Sequence, residues 1–212
     1  YLYIVFTCFL VGISNQVKRR KELHHLHQLK AHIIFLQETH LKVSQHSSLR
    51  CRWVGQMFHY SFQNKARGVA ILLHRSVPFT CSNVIADPHG RYIIVNVRLL
   101  NMNVLLVNIY APNWDNGDFF QIGGDFNCWL DPHLDRSSTK PTTMSTSARV
   151  VRTFMSEFAV SDPWRIFHNT FTRIDYFLVD DRLLNSISSC SYNPIVVSDH
   201  APSYHRSSLS NC

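Results

Sequence analysis

The chain lacks several features that would assign it to a well-known class of proteins. Its six cysteines are scattered with no Cys-x-x-Cys pair, so neither a zinc site nor a disulfide framework is predicted. There is no glycine-rich phosphate loop, no internal repeat and no coiled-coil heptad pattern. These absences disfavour P-loop nucleotide hydrolases, repeat proteins and secreted disulfide scaffolds, and they favour a reducing compartment.

Long hydrophobic segments are also missing. Residues 1–11 are almost wholly apolar, but this run is far below the ~20 residues that a membrane helix needs. It also lacks the basic start of a signal peptide. We therefore expect a buried edge or core strand here, and a protein of the nucleus or cytoplasm that is neither secreted nor membrane-spanning. The absence of an initiator methionine predicts a fragment.

Acidic residues are scarce compared with basic ones. There are 14 Asp and Glu residues against 21 Lys and Arg, which gives a formal net charge of +7 with histidine neutral. Such a balance favours an anionic partner, of which nucleic acid is the commonest. The length of 212 residues and a hydrophobic content of 45% suit one large domain with a real core.

Hydrophobic periodicity predicts more strands than helices. Amphipathic helices are predicted at residues 17–30 and at 147–158, the latter with Ser147 as N-cap. The histidines at 24, 25 and 27 are interpreted as a solvated or packed helix face, because no carboxylate accompanies them. Strands are predicted at residues 33–37, 53–61, 68–74, 93–99, 104–110, 175–179 and 194–198. The pair 93–99 and 104–110 is typical of a hairpin, so a mixed α/β layered sandwich is predicted.

Acids stand at the ends of several predicted strands. Glu38 follows an apolar run, Asp125 follows Ile122, Asp175 opens a run, and Asp199 follows another. Because acids are rarely buried unpaired, they are hard to explain as core residues. Strands that end in acids beside Asn127 and His200 are typical of a metal-assisted site. Cys128, by contrast, is expected to be a small buried thiol.

Five motifs occur in an order that resembles one known superfamily. They are Phe35-Leu36-Gln37-Glu38-Thr39-His40, Asn108-Ile109-Tyr110-Ala111-Pro112-Asn113, Gly123-Gly124-Asp125-Phe126-Asn127, Arg173-Ile174-Asp175-Tyr176-Phe177 and Ser198-Asp199-His200-Ala201-Pro202. The set resembles the endonuclease/exonuclease/phosphatase superfamily, and within it the apurinic-endonuclease-like domain of LINE-type (non-LTR) retrotransposon proteins. Leu130-Asp131-Pro132 and Leu134-Asp135-Arg136-Ser137 are similar to those elements too.

The resemblance implies a four-layered α/β sandwich, with two mixed β-sheets flanked by helices, and Mg²⁺-dependent phosphodiester cleavage, with Mn²⁺ as an alternative ion. It implies that Glu38 and Asp199 are the metal-binding acids. Both residues are carboxylates, and Mg²⁺ prefers carboxylates, waters and phosphate oxygens as ligands.

The resemblance also assigns the remaining site residues. Asp125 would activate water, Asn127 would position that acid and the phosphate, and Tyr110 would supply a hydroxyl to the phosphate. His200 would face the scissile phosphate, with Asp175 as its orienting carboxylate, because a histidine needs a partner to fix its tautomer.

The chain departs from the family pattern in ways that predict an incomplete fold. The family's first strand ends in an Asn that helps to hold the metal site, and Phe9 occupies that position here. Phenylalanine can neither ligate a metal nor hydrogen-bond a carboxylate. Residues 114–121 are too few for the usual crossover helix, and residues 166–172 leave no room for another strand and turn. We therefore expect activity to be reduced or lost, as in a truncated and internally deleted copy.

Four functions remain open at this point. The first is a DNA endonuclease domain, and the second is a non-catalytic nucleic-acid-binding remnant. A related phosphoinositide or sphingolipid hydrolase is disfavoured by the two Leu-Asp motifs and the basic charge, and the fourth is an unfolded translation product. DNA is the expected partner, with no membrane and no stable protein partner inferred. Lys65, Arg67 and Arg136, besides Lys42, are candidate contacts to its backbone. The degraded domain is expected at 1–202, followed by a disordered tail at 203–212.

Overall fold

The computed structural model describes most of the chain. The described residues are 2–9, 13–62, 68–99, 102–110, 123–126, 128–131, 134–135, 143–168, 175–192 and 203–208. Within them the α-helices are α1 (Gln16–Gln28), α2 (Thr146–Glu157) and α3 (Pro163–Phe167), and the 3-10 helices are Val43–Leu49 and Asp181–Ser186. The strands are β1 (Leu2–Phe9), β2 (Ile33–Gln37), β3 (Val54–Tyr60), β4 (Val69–His74), β5 (Phe79–Ala86), β6 (Tyr92–Leu99), β7 (Met102–Tyr110), β8 (Gly123–Asp125), β9 (Val160–Ser161), β10 (Asp175–Phe177), β11 (Val179–Asp180), β12 (Ile187–Tyr192) and β13 (Ser203–Ser208).

The strands form two large mixed sheets and one small one. The six-stranded sheet has the order β12-β13-β1-β2-β4-β3, the five-stranded sheet has the order β10-β8-β7-β6-β5, and β11 pairs with β9. The pairs β1–β2 and β7–β8 are parallel, and the other pairs are antiparallel. Helix α1 connects β1 to β2, as a parallel pair requires.

Alternation of side chains along β2 explains the layering. Ile33 and Phe35 belong to the core between the two large sheets, whereas Ile34 and Leu36 belong to the core under α1. Successive strand residues point to opposite faces, so one continuous apolar strand serves both layers. On the far side, α2 packs against β10 and the loop after β8 in a third cluster. The layers are therefore helix, sheet, sheet and helix, which confirms the predicted sandwich.

Both long helices begin at a polar side chain that satisfies free backbone N–H groups. The Asn15 Oδ1 atom accepts hydrogen bonds from the backbone N–H groups of Val17 and Lys18, at 2.9 and 3.2 Å. Helix α2 is capped by Ser145, whose Oγ accepts from the Ala148 N–H at 3.1 Å. The prediction of Ser147 as N-cap was wrong by two residues, because both serines precede the same apolar pattern.

The chain after Pro202 differs from the expected polar tail. Residues 203–208 form β13, which lies between β1 and β12 and pairs antiparallel with both. The expectation of disorder does not hold for these residues. The segment is polar, but backbone hydrogen bonds to a strand on each side order it. Strand β5, helix α3 and strand β12 were not predicted either.

Other predictions fall outside the described residues. The expected strand at 194–198, the short connection at 114–121 and residues 169–172 of the other short connection belong to this group. Among the described helices, none is both long and apolar enough to cross a membrane.

Candidate active site

Three of the predicted site residues lie side by side in the five-stranded sheet. Tyr110 ends β7 and is the register partner of Asp125, which ends the parallel strand β8. Asp125 is also the register partner of Asp175, which begins the antiparallel strand β10. Directly opposed residues on antiparallel strands have Cα atoms roughly 4.5–5.5 Å apart. The ends of these three neighbouring strands therefore place one tyrosine and two aspartates in a row across the sheet.

Glu38 leaves the six-stranded sheet in an unusual backbone conformation. It follows Gln37, whose register partner on the parallel strand β1 is Phe9. Glu38 and His40 both have positive φ angles, of 48° and 49°. Non-glycine residues in this left-handed region cost on the order of 1–3 kcal/mol and cluster at functional sites. The Glu38 carboxylate lies 3.7 Å from Nε2 of His40.

A buried amide pair brings these two sheet edges together. The Gln37 Nε2 donates to Oδ1 of Asn108 on β7, at 2.5 Å, and both side chains are fully buried. The Asn108 Nδ2 donates to the backbone carbonyls of Leu36 and Ala70, at 2.9 and 2.8 Å. Because Asn108 lies two residues before Tyr110 and Gln37 lies one before Glu38, both candidates emerge at the same edge of the sandwich.

Thr39 is held tightly between the two left-handed residues. Its backbone N–H donates to the carbonyl of Gly68 at 3.1 Å, and its side chain is fully buried. A Cβ atom at Gly68, where φ is +147°, would lie 2.4 Å from the Thr39 Oγ1. Only glycine fits this close approach. The loop that carries Glu38 is therefore packed directly onto the start of β4.

The polar groups near Glu38 are oxygen atoms of the kind that a hard cation prefers as ligands. Its carboxylate is the kind of ligand that Mg²⁺ prefers. The Oε1 atom of Gln37 and the Oγ1 atom of Thr39 are buried and have no hydrogen-bond partner among the described residues, a condition that ordered water commonly relieves. No cluster of three or more His, Cys, Asp or Glu side chains within the described ranges could hold a metal ion. Glu38 by itself offers one carboxylate ligand to such an ion.

A second buried network supports the segment that follows β8. Asp135 is fully buried and accepts hydrogen bonds from the hydroxyl of Tyr176, at 3.1 Å, and from the backbone N–H of Asp131, at 2.8 Å. It also forms an ion pair with Arg165 of α3. The Tyr176 hydroxyl accepts from the N–H of Leu130 at 3.1 Å. The loop after Asp125 and the strand that begins at Asp175 are therefore fixed to each other.

The remaining predicted site residues are only partly covered by the structure. For Asp125 and Asp175 the strand positions are described and the side chains are not. The candidates that lie outside the described residues are Asn127, Asp199, His200, Lys65, Arg67 and Arg136. Lys42 is exposed just before the first 3-10 helix, and Cys128 is buried, as predicted.

Sequence reasoning missed the residues that join the two sheets. Gln37 and Asn108 stand inside the motifs that identify the site, yet neither was assigned a role. A glutamine or asparagine at a position where a strand should be apolar was the available signal, because buried polar groups need partners. Asp135, within the Leu-Asp-Arg-Ser motif, gave the same signal.

Comparison with known proteins assigns the chain to a family. Residues 14–200 match the model of the endonuclease/exonuclease/phosphatase family. The chain belongs to this family. That match covers the Glu38 loop, the row at the edge of the second sheet and the segment up to His200.

The similar proteins include a transposon protein and solved endonuclease structures. The chain is 26% identical, over 93% of its own length, to the transposon TX1 uncharacterized 149 kDa protein of Xenopus laevis, and it spans 16% of that protein. The AP endonuclease LMAP of Leishmania major is similar in structure, with a TM-score of 0.77 at 15% identity over 99% of this chain and 88% of that one. The endonuclease domain of TRAS1, a telomere-specific non-LTR retrotransposon, gives 0.65 at 15% identity over 98% of each chain. The two structural likenesses show a shared fold.

Proposed function

We propose that this chain is the endonuclease-like domain of a retrotransposon, built for metal-dependent cleavage of DNA phosphodiesters and reduced or lost in activity. One observation carries the proposal. Tyr110, Asp125 and Asp175 stand in register on three neighbouring strands, at the edge where Glu38 leaves the other sheet. Two neighbouring acids are unfavourable in a hydrophobic core, because carboxylates are rarely buried unpaired. Acids and a hydroxyl at one place suit phosphodiester hydrolysis.

The reaction assigns a separate role to each residue. Glu38 and Asp199 would hold Mg²⁺, which neutralises charge on the phosphate when bound. Asp125, positioned by Asn127, takes a proton from a water molecule. The water oxygen forms a bond to phosphorus while the bridging P–O bond breaks, and the leaving oxygen takes a proton from solvent.

Two further residues would contact the phosphate directly. Tyr110 and His200 donate hydrogen bonds to the non-bridging oxygens, where negative charge accumulates in the transition state. Asp175 accepts a hydrogen bond from His200 and fixes its tautomer. General acid–base assistance of this kind is typically worth ~10²–10⁴-fold in rate.

Reduced activity is proposed because of one strand position. The backbone of Phe9 lies beside Gln37 at the ends of the parallel pair β1–β2, one residue from Glu38. In the family an asparagine stands at this position and helps to hold the metal site. A phenyl ring offers no oxygen ligand, so metal affinity and rate should both fall.

The test is nicking of supercoiled plasmid by the purified chain, with Mg²⁺ and with EDTA. Asp199→Ala removes a proposed metal ligand. Asp181→Ala removes an exposed acid that has no role in the proposed reaction, so it is the matched control. Weak nicking that needs Mg²⁺ and is lost only in Asp199→Ala would support the proposal. Nicking that survives EDTA or Asp199→Ala would contradict it.

A non-catalytic nucleic-acid-binding or unfolded remnant is the second candidate, and Phe9 together with the net charge of +7 favours it. Absence of nicking, with cooperative thermal unfolding and salt-sensitive DNA binding, would indicate the binding remnant. Absence of a cooperative transition would indicate an unfolded product.

A further inference from the structure

A cleft beside helix α1 has no role in the proposed reaction. It has a volume of about 460 Å³ and lies between α1 and the segment that leads into β3. Residues from both sides line it, including Arg20, His24, His27, Ser48, Arg50 and Trp53. Helix α1 covers the outer face of the six-stranded sheet, whereas the candidate active site lies at the edge between the two large sheets. The cleft and the candidate active site are therefore separate features.

The cleft is strongly basic. Arg20 and Arg50 are exposed, and neither forms an ion pair or a side-chain hydrogen bond within the described part of the chain. No acidic residue occurs among the described residues that line it. Arg19 also lines the cleft, but its guanidinium is buried and donates to the carbonyls of Ile13 and Ser14, at 2.8 and 3.3 Å. Two arginines that line one cleft without a carboxylate among its described lining residues are suited to phosphate groups.

Two of the residues that line the cleft, His27 and Trp53, belong to a stack of rings. His27 is exposed, and its ring stacks on Trp53 with centroids 5.8 Å apart and planes 19° apart. Trp53 in turn stacks on His74, at 6.0 Å and 19°. The rings are held by one another and by the core, since Trp53 is buried. Rigid aromatic platforms beside basic groups are the arrangement by which proteins hold single-stranded nucleic acid.

We propose that this cleft binds one or two nucleotides of single-stranded nucleic acid, with phosphates at Arg20 and Arg50 and a base against His27. Its volume is in the roughly 300–1,000 Å³ range of sites for a single small ligand, which is too small for a duplex. This binding does not rest on the proposed cleavage, because it involves none of the residues assigned to the active site.

The test compares two double variants with the same change of charge. Arg20→Glu/Arg50→Glu reverses the cleft, and Lys21→Glu/Arg52→Glu reverses two exposed basic residues that are not among those lining it. Binding of a fluorescent oligothymidine and of a duplex is measured by anisotropy in EDTA, over a range of salt concentrations. Thermal unfolding of each variant checks that the fold is retained.

The expected result is a loss of tenfold or more in oligothymidine affinity for the cleft variant relative to the control variant. The slope of the logarithm of the binding constant against the logarithm of the salt concentration should become shallower by about 1.4. Each of the two lost phosphate contacts accounts for ~0.7 of that change. An oligomer with abasic sugars should bind the wild-type chain about tenfold more weakly, because its bases cannot stack.

Three results would overturn the proposal. Equal losses in both double variants would show that only the overall charge matters. A loss for duplex as large as that for oligothymidine would show that the cleft does not select single strands, and full affinity for the abasic oligomer would remove the stacking role. Each result is independent of nicking, so failure of the proposed cleavage would leave this test intact.

Discussion

Gln37 and Asn108 join the two large sheets by a hydrogen bond of 2.5 Å between Nε2 and Oδ1, at a depth where neither side chain is exposed to solvent. Asn108 also satisfies the carbonyls of Leu36 and Ala70, so one side chain holds three groups of the facing sheet. Apolar packing between sheets is non-directional and allows sliding, whereas these hydrogen bonds require one relative position. The placement of Glu38 relative to Tyr110 therefore depends on this pair.

Replacing Asn108 with leucine should destabilise the protein strongly. The change removes the three buried hydrogen bonds that Asn108 makes to the Gln37 amide and to the Leu36 and Ala70 carbonyls, each worth about 1 kcal/mol. We expect a loss of roughly 3 kcal/mol in the free energy of unfolding, measured by urea denaturation. Asn103→Leu, at an exposed position of the same strand, is the control and should change that free energy by less than about 0.5 kcal/mol. Similar losses in both variants would contradict the role of the pair.

Gly68→Ala should disturb the loop that carries Glu38. The added methyl would meet the Thr39 Oγ1 at 2.4 Å, and a φ of +147° disfavours any side chain. We expect the free energy of unfolding to fall by about 1–3 kcal/mol. Thr39→Ala removes the clashing oxygen, so the double variant should recover part of the loss relative to the two single variants. Strict additivity of the two changes would show that Gly68 and Thr39 are not in contact.

The histidine pair at 46 and 59 should make stability depend on pH. The rings stack at 3.9 Å, and His46 is fully buried. Burial, and then the charge of His59, lowers the pKa of His46 from 6.5 to about 4. Burial and then Arg50 also lower the pKa of His59. As the pH falls below 6.5, the unfolded chain binds these protons before the folded chain does, so the free energy of unfolding should decrease until about pH 4.

The measurement is urea denaturation between pH 7.5 and 4. The His46 contribution is on the order of 2–3 kcal/mol across that window. In His46→Gln the dependence should be flatter, because glutamine does not titrate. Despite the opposing effect of burial, hydrogen bonds from Arg91 and Arg182 lower the pKa values of the Asp87 and Asp180 carboxyls below 3.8. The stability that these two acids contribute is therefore lost only below the pH range of this measurement. An unchanged slope in His46→Gln would refute the assignment to this pair.

Phe9→Asn should increase Mg²⁺-dependent nicking. The substitution puts an amide oxygen at the strand position beside Gln37, where it is able to ligate a cation or bond a carboxylate. We expect a gain of tenfold or more in the rate of plasmid nicking, with less Mg²⁺ needed for half of the maximal rate. Phe9→Leu keeps the position apolar and should give no gain. An equal gain in both variants would indicate relief of steric crowding instead.

The regular core elements could be predicted because their signals are local. Residues 33–36 form a continuous apolar run, and the structure places a strand at Ile33–Gln37, the predicted bounds. The start of α2 could not be fixed in this way, since Ser145 and Ser147 are chemically equal candidates and only the bond to Ala148 decides between them.

Strand β5 was missed because pairing, not composition, defines it. It carries the polar sequence Thr80-Cys81-Ser82-Asn83 and is exposed along nearly its whole length at the edge of its sheet. A strand that buries little has no alternation to detect.

The candidate acids could be selected from the sequence, but the residues that join the sheets beneath them could not. Glu38, Asp125 and Asp175 were selected from motifs. In the structure Asp125 and Asp175 are register partners at strand ends, and Glu38 follows the last residue of β2. The bond from Gln37 to Asn108 spans 71 positions of sequence, so it depends on how two sheets meet. No local pattern contains that information.

The position of β13 bears on how the chain folds during synthesis. Strand β1 is made first, yet one of its edges is completed only by β13, with Leu2 paired to Ser208. Until β13 has left the ribosome, that edge of β1 presents unpaired backbone groups to other chains. Contacts so distant in sequence also close slowly. Nascent chains of this domain should therefore depend on chaperones until translation has passed residue 208.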